Sequence, residues 1–102
     1  MNKTTLYVGL NDKDTHTQKF DTLEATKIVT NIITSITDGC TIYNASGVYT
    51  HEDGSIVIEN TLKIELFDTA NSAINQIIDT LKRVLNQESI IKQTENIISE
   101  FC

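Results

Sequence analysis

Apolar and polar residues alternate along three stretches of the chain, which is the spacing typical of β-strands. In TTLYVGL, residues 4–10, two leucines and a valine share one face, whereas a tyrosine and a glycine share the other. The longest alternation is SIVIENTLKIELF, residues 55–67, and it is preceded by TIYNASGVYT, residues 41–50. Asp53 and Gly54 between these two stretches predict a tight hairpin turn, because both residues tolerate positive φ.

Two further stretches repeat apolar residues every three or four positions and therefore predict amphipathic helices. The first begins at a capping box, with Asp21 as the cap and Glu24 three positions later. We expect it to end near Gly39 in a left-handed conformation. The second helix follows Asp68 or Thr69 as its cap. The apolar stripes are Ala25, Ile28, Val29, Ile32, Ile33 and Ile36 in the first helix, and Ala70, Ala73, Ile74, Ile77, Ile78, Leu81 and Leu85 in the second.

The C-terminal stretch ESIIKQTENIISEF has a β-rich composition but loses its alternation near residues 93–96. We expect a bulged or split strand that begins at about Ser89 and resumes at Ile97. The order along the chain is then β-α-β-β-α-β, in a single domain over residues 1–102.

This order predicts an α+β, ferredoxin-like architecture, with two helices on one face of a four-stranded antiparallel sheet. Each helix has one apolar stripe, so both helices must cover the same side of the sheet. The strand residues expected beneath them are Leu6, Val8, Leu10, Ile42, Val48, Ile56, Ile58, Leu62, Ile64 and Leu66.

The opposite side of the predicted sheet, called the open face below, carries all three tyrosines of the chain. A tyrosine ring can bury about 150–250 Å² while its hydroxyl stays available to a partner. Small residues between the rings leave hollows, and we predict a binding surface, although tyrosine also favours strands for packing alone. The candidate binding residues are Tyr7, Gly9, Asn11, Thr41, Tyr43, Gly47, Tyr49, Glu59, Thr61 and Lys63.

Glu59 is a carboxylate of the open face close to these tyrosines. Its expected role is an ion pair with Lys63 across the sheet surface. The alternative role is a general base in an enzyme that needs no cofactor, with Tyr43 beside it.

Composition excludes several classes of function. The chain of 102 residues has a net charge of −6 and one arginine, Arg83, which argues against nucleic acid and anionic membranes as partners. The basic, glycine-rich pattern with closely spaced aromatics that binds RNA is missing. No apolar run is long enough to span a bilayer and no signal peptide is recognised, so we expect a cytoplasmic protein. Cys40 and Cys102 predict free thiols.

No motif for a metal or cofactor is present. Residues 12–16, DKDTH, lack the glycine and the later glutamate of an EF-hand loop. His16 and His51 are the only histidines, too few for a zinc set, and His51 is expected in a solvated turn. We therefore predict no metal, no cofactor and no assigned catalytic residue.

Four segments, LYVGL, DGCTIYNASGVY, IEN and NQES, together resemble a family of small bacterial domains of unknown function. Tyr49 stands where that family commonly has tryptophan, and residues 34–37 replace a proline-rich segment. The resemblance implies an accessory protein of phages or mobile elements in low-GC Firmicutes, and it supplies no reaction.

Three functions remain open. The first is a non-catalytic protein, acting against a host defence, that holds a small nucleotide-like signal or a host protein on the open face. Such a signal would need backbone amides and Lys63, since arginine is scarce. The second is a small enzyme of the dimeric ferredoxin-like barrel type. The third is a structural subunit that closes a homodimer or higher homo-oligomer through the open face.

Overall fold

The computed structural model describes residues 1–102 and contains four strands and two helices in the predicted order. The elements are β1 (Asn2–Gly9), α1 (Thr22–Ile36), β2 (Thr41–Thr50), β3 (Ile56–Phe67), α2 (Asn71–Val84) and β4 (Ile91–Asn96). All neighbouring strands are antiparallel, and their order across the sheet is β2-β3-β1-β4. The predicted α+β, ferredoxin-like fold is confirmed.

Both helices pack on one face of the sheet, as their single apolar stripes require. The two central strands, β1 and β3, supply the other half of the core. The buried cluster consists of Leu6, Val8 and Leu10, Ala25, Val29 and Ile33, Leu62, Ile64 and Leu66, and Ile74, Ile77, Leu81 and Leu85.

The β2–β3 hairpin extends beyond the helices, and this corrects part of the predicted core. Val48, Ile56 and Ile58 are 66%, 71% and 70% exposed, although the alternation places them on the helix side. The pairing of β1 with β3 ends at Thr61, whereas β2 and β3 stay paired out to Thr50 and Ile56. Residues 46–60, called the arm below, therefore have no helix over them.

Only the N-terminal end of α1 has the structure predicted from the sequence. The Asp21 side chain accepts a hydrogen bond from the Glu24 backbone N–H at 2.8 Å, as expected of the cap. The helix ends at Ile36, however, and Gly39 does not adopt the left-handed conformation that we expected. The glycine with positive φ is Gly54, at 88°, in the predicted hairpin turn.

The predicted caps of α2 are wrong. Ala70 holds the cap position and makes no side-chain hydrogen bond there. Asp68 instead has a φ of 51°, and its N–H donates to the Asn2 carbonyl at 2.7 Å, so it turns the chain out of β3. No helix in the protein combines the length and the apolar character needed to cross a membrane.

Strand β4, Ile91–Asn96, includes residues 93–96, where the sequence predicted a break in the strand. It ends before Ile97, where we expected the strand to resume. It pairs with β1 from Ile91, opposite Tyr7, to Asn96, opposite Asn2. All six residues are exposed, because β4 is an edge strand beyond the cover of the helices. Polar side chains are tolerated on both faces of such a strand.

Candidate functional site

A cavity of about 640 Å³ lies on the open face, at the end of the sheet where β1 leaves it. Its walls come from the sheet itself, from the β1–α1 loop, and from the connection between α2 and β4. Most of the predicted binding residues line it: Tyr7, Gly9, Asn11, Gly47, Tyr49, Glu59 and Thr61. The register explains this grouping, since Gly47 lies opposite Glu59, and Gly9 opposite Thr61.

The other three predicted residues lie farther along the open face, outside the cavity. The Tyr43 hydroxyl donates to Glu65 Oε1 at 2.9 Å, and Lys63 Nζ lies 5.3 Å from the centre of the Tyr43 ring. Thr41 is paired with Glu65. The Tyr43 hydrogen bond lowers the pKa of Glu65, with Lys3 at 3.3 Å adding to the effect, and raises the pKa of Tyr43.

Glu59 lies against the backbone of β1. Its Oε2 accepts a hydrogen bond from the Asn11 N–H at 3.0 Å. A Cβ atom placed on Gly9 would stand 2.7 Å from Glu59 Cδ and 2.8 Å from Oε2, so the missing side chain of Gly9 is what admits the carboxylate. The expected ion pair with Lys63 is wrong, because Glu59 bonds to the backbone of Asn11 while Lys63 covers Tyr43.

Three rings form an aromatic wall at the side of the cavity. Tyr49 and His51 meet edge to face with their centres 5.5 Å apart, and His51 meets His16 in the same way at 5.9 Å. His51 is thus half-buried against its neighbours rather than solvated in the turn. Its position two residues after Tyr49 places both on one strand face, a signal that the sequence contained. His16, in a distant loop, had no such signal.

Asp12 fastens the β1–α1 loop. Asp12 is 2% exposed, and its carboxylate accepts hydrogen bonds from the N–H groups of Asp14 and Thr15, at 2.9 and 3.0 Å. Its other oxygen accepts from Asn86 Nδ2 at 2.9 Å and lies 3.1 Å from Lys19 Nζ. These contacts, that from Asn86 first, hold the pKa of Asp12 well below its usual range. The Asp12 carboxylate therefore stabilises the conformation of the β1–α1 loop.

Gln87, Glu88 and Ser89 complete the lining of the cavity, and Asn86 precedes them. None of the four is among the predicted binding residues. Gln87 Nε2 donates to the Asn11 carbonyl at 2.7 Å, while the Lys13 N–H donates to the Asn86 carbonyl at 3.0 Å. The Asn11 backbone is thus held on both sides, by Glu59 and by Gln87. These four residues form the NQES segment of the family resemblance, which is the one feature of the sequence that pointed to them.

Because the pKa of Asp12 is lowered by folding, we expect its contribution to stability to be present above about pH 4, its unfolded pKa, and to be lost as the pH falls further. Thermal melts from pH 7 to pH 2 measure this. Asp12→Asn should lower the melting temperature at pH 7 by roughly 5–15 °C and flatten its acid dependence. The control Asp38→Asn removes an exposed carboxylate, and an equal effect there would contradict a special role for Asp12.

The charges that line the cavity favour a cationic ligand. Three carboxylates, those of Asp12, Glu59 and Glu88, line it against a single ammonium group, that of Lys13, and no arginine lines it. Asp12 is already paired with Lys19, which leaves Glu59 and Glu88. Aromatic faces beside carboxylates attract organic cations, whereas phosphate groups need several basic donors. No group of three or more histidine, cysteine, aspartate or glutamate side chains is placed to hold a metal ion.

A family described as Protein of unknown function (DUF3574) matches residues 3–101. No curated protein matches the chain. Among solved structures, a phage SAM lyase in complex with S-methyl-5′-thioadenosine superposes with a TM-score of 0.63 and 23% identity, over 92% of this chain and 79% of that one. The divalent ion tolerance protein CutA1 from Ehrlichia chaffeensis superposes with a TM-score of 0.58 and 15% identity, over 97% and 84%. At these identities the likeness concerns the fold.

Proposed function

Since the chain belongs to the family described as Protein of unknown function (DUF3574), whose description names no activity, we propose a function from the cavity. The protein binds a small nucleoside derivative that carries a positive charge and no phosphate, of the S-adenosylmethionine type. The observation that carries this proposal is the carboxylate of Glu59, held against Gly9 within a cavity that Tyr7 and Tyr49 also line.

The recognition follows from the contacts of Glu59. Oε2 of Glu59 accepts a hydrogen bond from the Asn11 N–H. Oε1 accepts no hydrogen bond from the protein, so this oxygen is available to a ligand. The negative charge and the neighbouring aromatic faces attract a sulfonium or ammonium group. The aromatic wall of Tyr49, His51 and His16 offers a surface on which a planar base can pack.

Size and fold support the same ligand class. Cavities that enclose small ligands commonly measure about 300–1,000 Å³, and this one falls within that range. The phage SAM lyase with the similar fold holds S-methyl-5′-thioadenosine, a nucleoside without phosphate. A concave site also favours a small molecule over a host protein. The proposed role of the protein in a phage is to act against a host defence by capturing such a nucleoside.

Isothermal titration of the purified protein tests the proposal. S-adenosylmethionine and S-methyl-5′-thioadenosine are expected to bind at one site per chain, and ATP much more weakly because its phosphates meet Glu59 and Glu88. Equal or tighter binding of ATP would overturn the cationic preference. Absence of binding by all three would overturn the proposal.

Glu59→Gln is expected to distinguish recognition of the positive charge of the ligand from recognition of its shape. Glutamine keeps the size of the side chain and an oxygen that accepts from Asn11, but it removes the negative charge. Affinity for S-adenosylmethionine should fall roughly tenfold, which corresponds to about 1.4 kcal/mol, with little change for the uncharged S-methyl-5′-thioadenosine. The control Glu24→Gln removes a carboxylate from α1, outside the cavity, and should change neither affinity. Parallel losses for both ligands in Glu59→Gln would contradict recognition of charge.

A second candidate function is catalysis on the same ligand. The fold of the lyase and the free oxygen of Glu59 favour it. Glu59 would act as the base by removing a proton from the side-chain carbon next to the one bonded to sulfur. A C=C bond would then form in the amino acid, and the C–S bond would break to release S-methyl-5′-thioadenosine. Tyr43, which the sequence paired with Glu59, is bonded to Glu65 outside the cavity and takes no part. Incubation with S-adenosylmethionine, followed by chromatography for S-methyl-5′-thioadenosine, distinguishes the two. Formation of product in the wild type and its loss in Glu59→Gln establish catalysis, whereas a bound but unchanged ligand favours simple capture.

A further inference from the structure

The protein exposes two apolar surfaces that nothing in the same chain covers. The first is the helix-side face of the arm, where Val48, Ile56 and Ile58 are each at least 66% exposed. The second is the tail, residues 97–102, in which Ile98 is 99% exposed and Phe101 is 92% exposed. Exposed apolar groups gathered at one place mark sites of contact with another molecule.

The two surfaces lie at opposite ends of the sheet. The Ile97 N–H donates to the Met1 carbonyl at 2.9 Å, and Asn2 is bonded to Asp68, so the tail begins beside the end of β3. Ile58 lies nine positions before Phe67 along that strand, a separation of roughly 30 Å at about 3.3 Å per residue. The four steps from Ile97 to Phe101 span at most about 14 Å. The tail therefore cannot reach the arm of its own chain.

We propose that the tail of one copy of the protein packs on the arm of a second copy. The tail has the β-rich sequence IISEFC, and in the single chain it forms no strand. Strand β2 is an edge strand, so one side of its backbone is open to pairing along the arm. An extended tail beside β2 places alternate side chains next to Val48, and it thereby covers apolar surface and open backbone groups together.

This contact joins one end of each chain to the other end of the next. Such contacts close into rings or, when two tails are exchanged, into a symmetric pair. They leave the open face free, unlike the association through the tyrosines that the sequence suggested. Ser46, Gly47 and Tyr49 of the arm also line the cavity, so the tail of a second copy would lie beside the ligand site of the first. The proposal does not depend on which ligand binds there.

Native mass spectrometry with size-exclusion chromatography tests the proposal. The full chain is expected as a multiple of the 11.4 kDa protomer at micromolar concentration. Two variants should each be monomeric. Ile58→Lys places a charge on the apolar face of the arm, and a chain that ends at Asn96 lacks the tail. Mixing the two should restore a complex of one copy of each, because one partner brings an intact tail and the other an intact arm. Leu23→Ser, an exposed apolar residue of α1, is the control and should leave the assembly unchanged.

Three results would overturn the proposal: a monomeric wild type, a chain ending at Asn96 that still assembles, or two variants that do not associate when mixed. The second result would show an interface that does not use the tail. Circular dichroism melts confirm that both variants fold. Ile56→Lys alters the same face of the arm at another exposed position and must behave like Ile58→Lys.

Discussion

Gly9→Ala is expected to weaken binding of S-adenosylmethionine by roughly tenfold, as in Glu59→Gln, while the protein still folds. The added methyl group would occupy the position of the Glu59 carboxylate, at 2.7 Å from Cδ and 2.8 Å from Oε2. The Glu59 carboxylate is the far end of a flexible side chain, so it can rotate away from the new methyl group without distorting the sheet. Turning away breaks its hydrogen bond with the Asn11 N–H, and the charge then no longer lies where the ligand meets it.

Gly39→Ala is the matched control, because a methyl group there meets no atom within 4 Å and the backbone does not require glycine. Isothermal titration should give the wild-type affinity for this control. Thermal melts of both variants check that the loss in Gly9→Ala is not caused by unfolding. Undiminished binding in Gly9→Ala would show that the position of Glu59 over β1 does not matter to the ligand.

Ile64→Ala is expected to cause the largest loss of stability, about 2–5 kcal/mol in the free energy of unfolding. Ile64 is fully buried in central strand β3, within the cluster formed with both helices. Removing its outer carbons leaves a cavity that the surrounding side chains fill only in part. Because domains of this size are commonly stable by about 5–15 kcal/mol, the change should shift the urea midpoint clearly.

Ile58→Ala is the same substitution on the same face of the same strand, six residues earlier. Since Ile58 is 70% exposed on the arm, its truncation should change the free energy of unfolding by less than about 1 kcal/mol. Both variants are compared in urea at the same low protein concentration, so that association contributes little. Similar losses in the two would show that a further contact buries the arm under those conditions.

The architecture could be predicted because alternation and helical spacing are local properties of the sequence. Both report the side of an element that faces the core. Neither reports how far a neighbouring element extends, which is why Val48, Ile56 and Ile58 were placed under helices that do not reach them. The course of β4 was missed for a related reason: an exposed edge strand has no buried side to impose alternation.

The candidate site could be predicted where it belongs to the sheet or directly follows a strand, as Asn11 follows β1. Tyr7, Gly9, Tyr49 and Glu59 share a face by parity along their strands, and pairing brings them together. The contributions of loops depend on hydrogen bonds between distant segments, such as that from Asn86 to Asp12, 74 residues apart. No spacing rule reveals such a contact, and the role of Glu59 depended on one of the same kind.

The bonds that join the β1–α1 loop to residues 86–87 also determine when the cavity can exist during folding. They link the loop after the first strand to a segment that leaves the ribosome after the site residues of β1, β2 and β3 have been made. Contacts between such distant segments form late, because closing a long loop costs entropy before they can repay it. A nascent chain with the β2–β3 hairpin already formed would thus lack the complete cavity until residues 86–91 have been made and packed against the sheet.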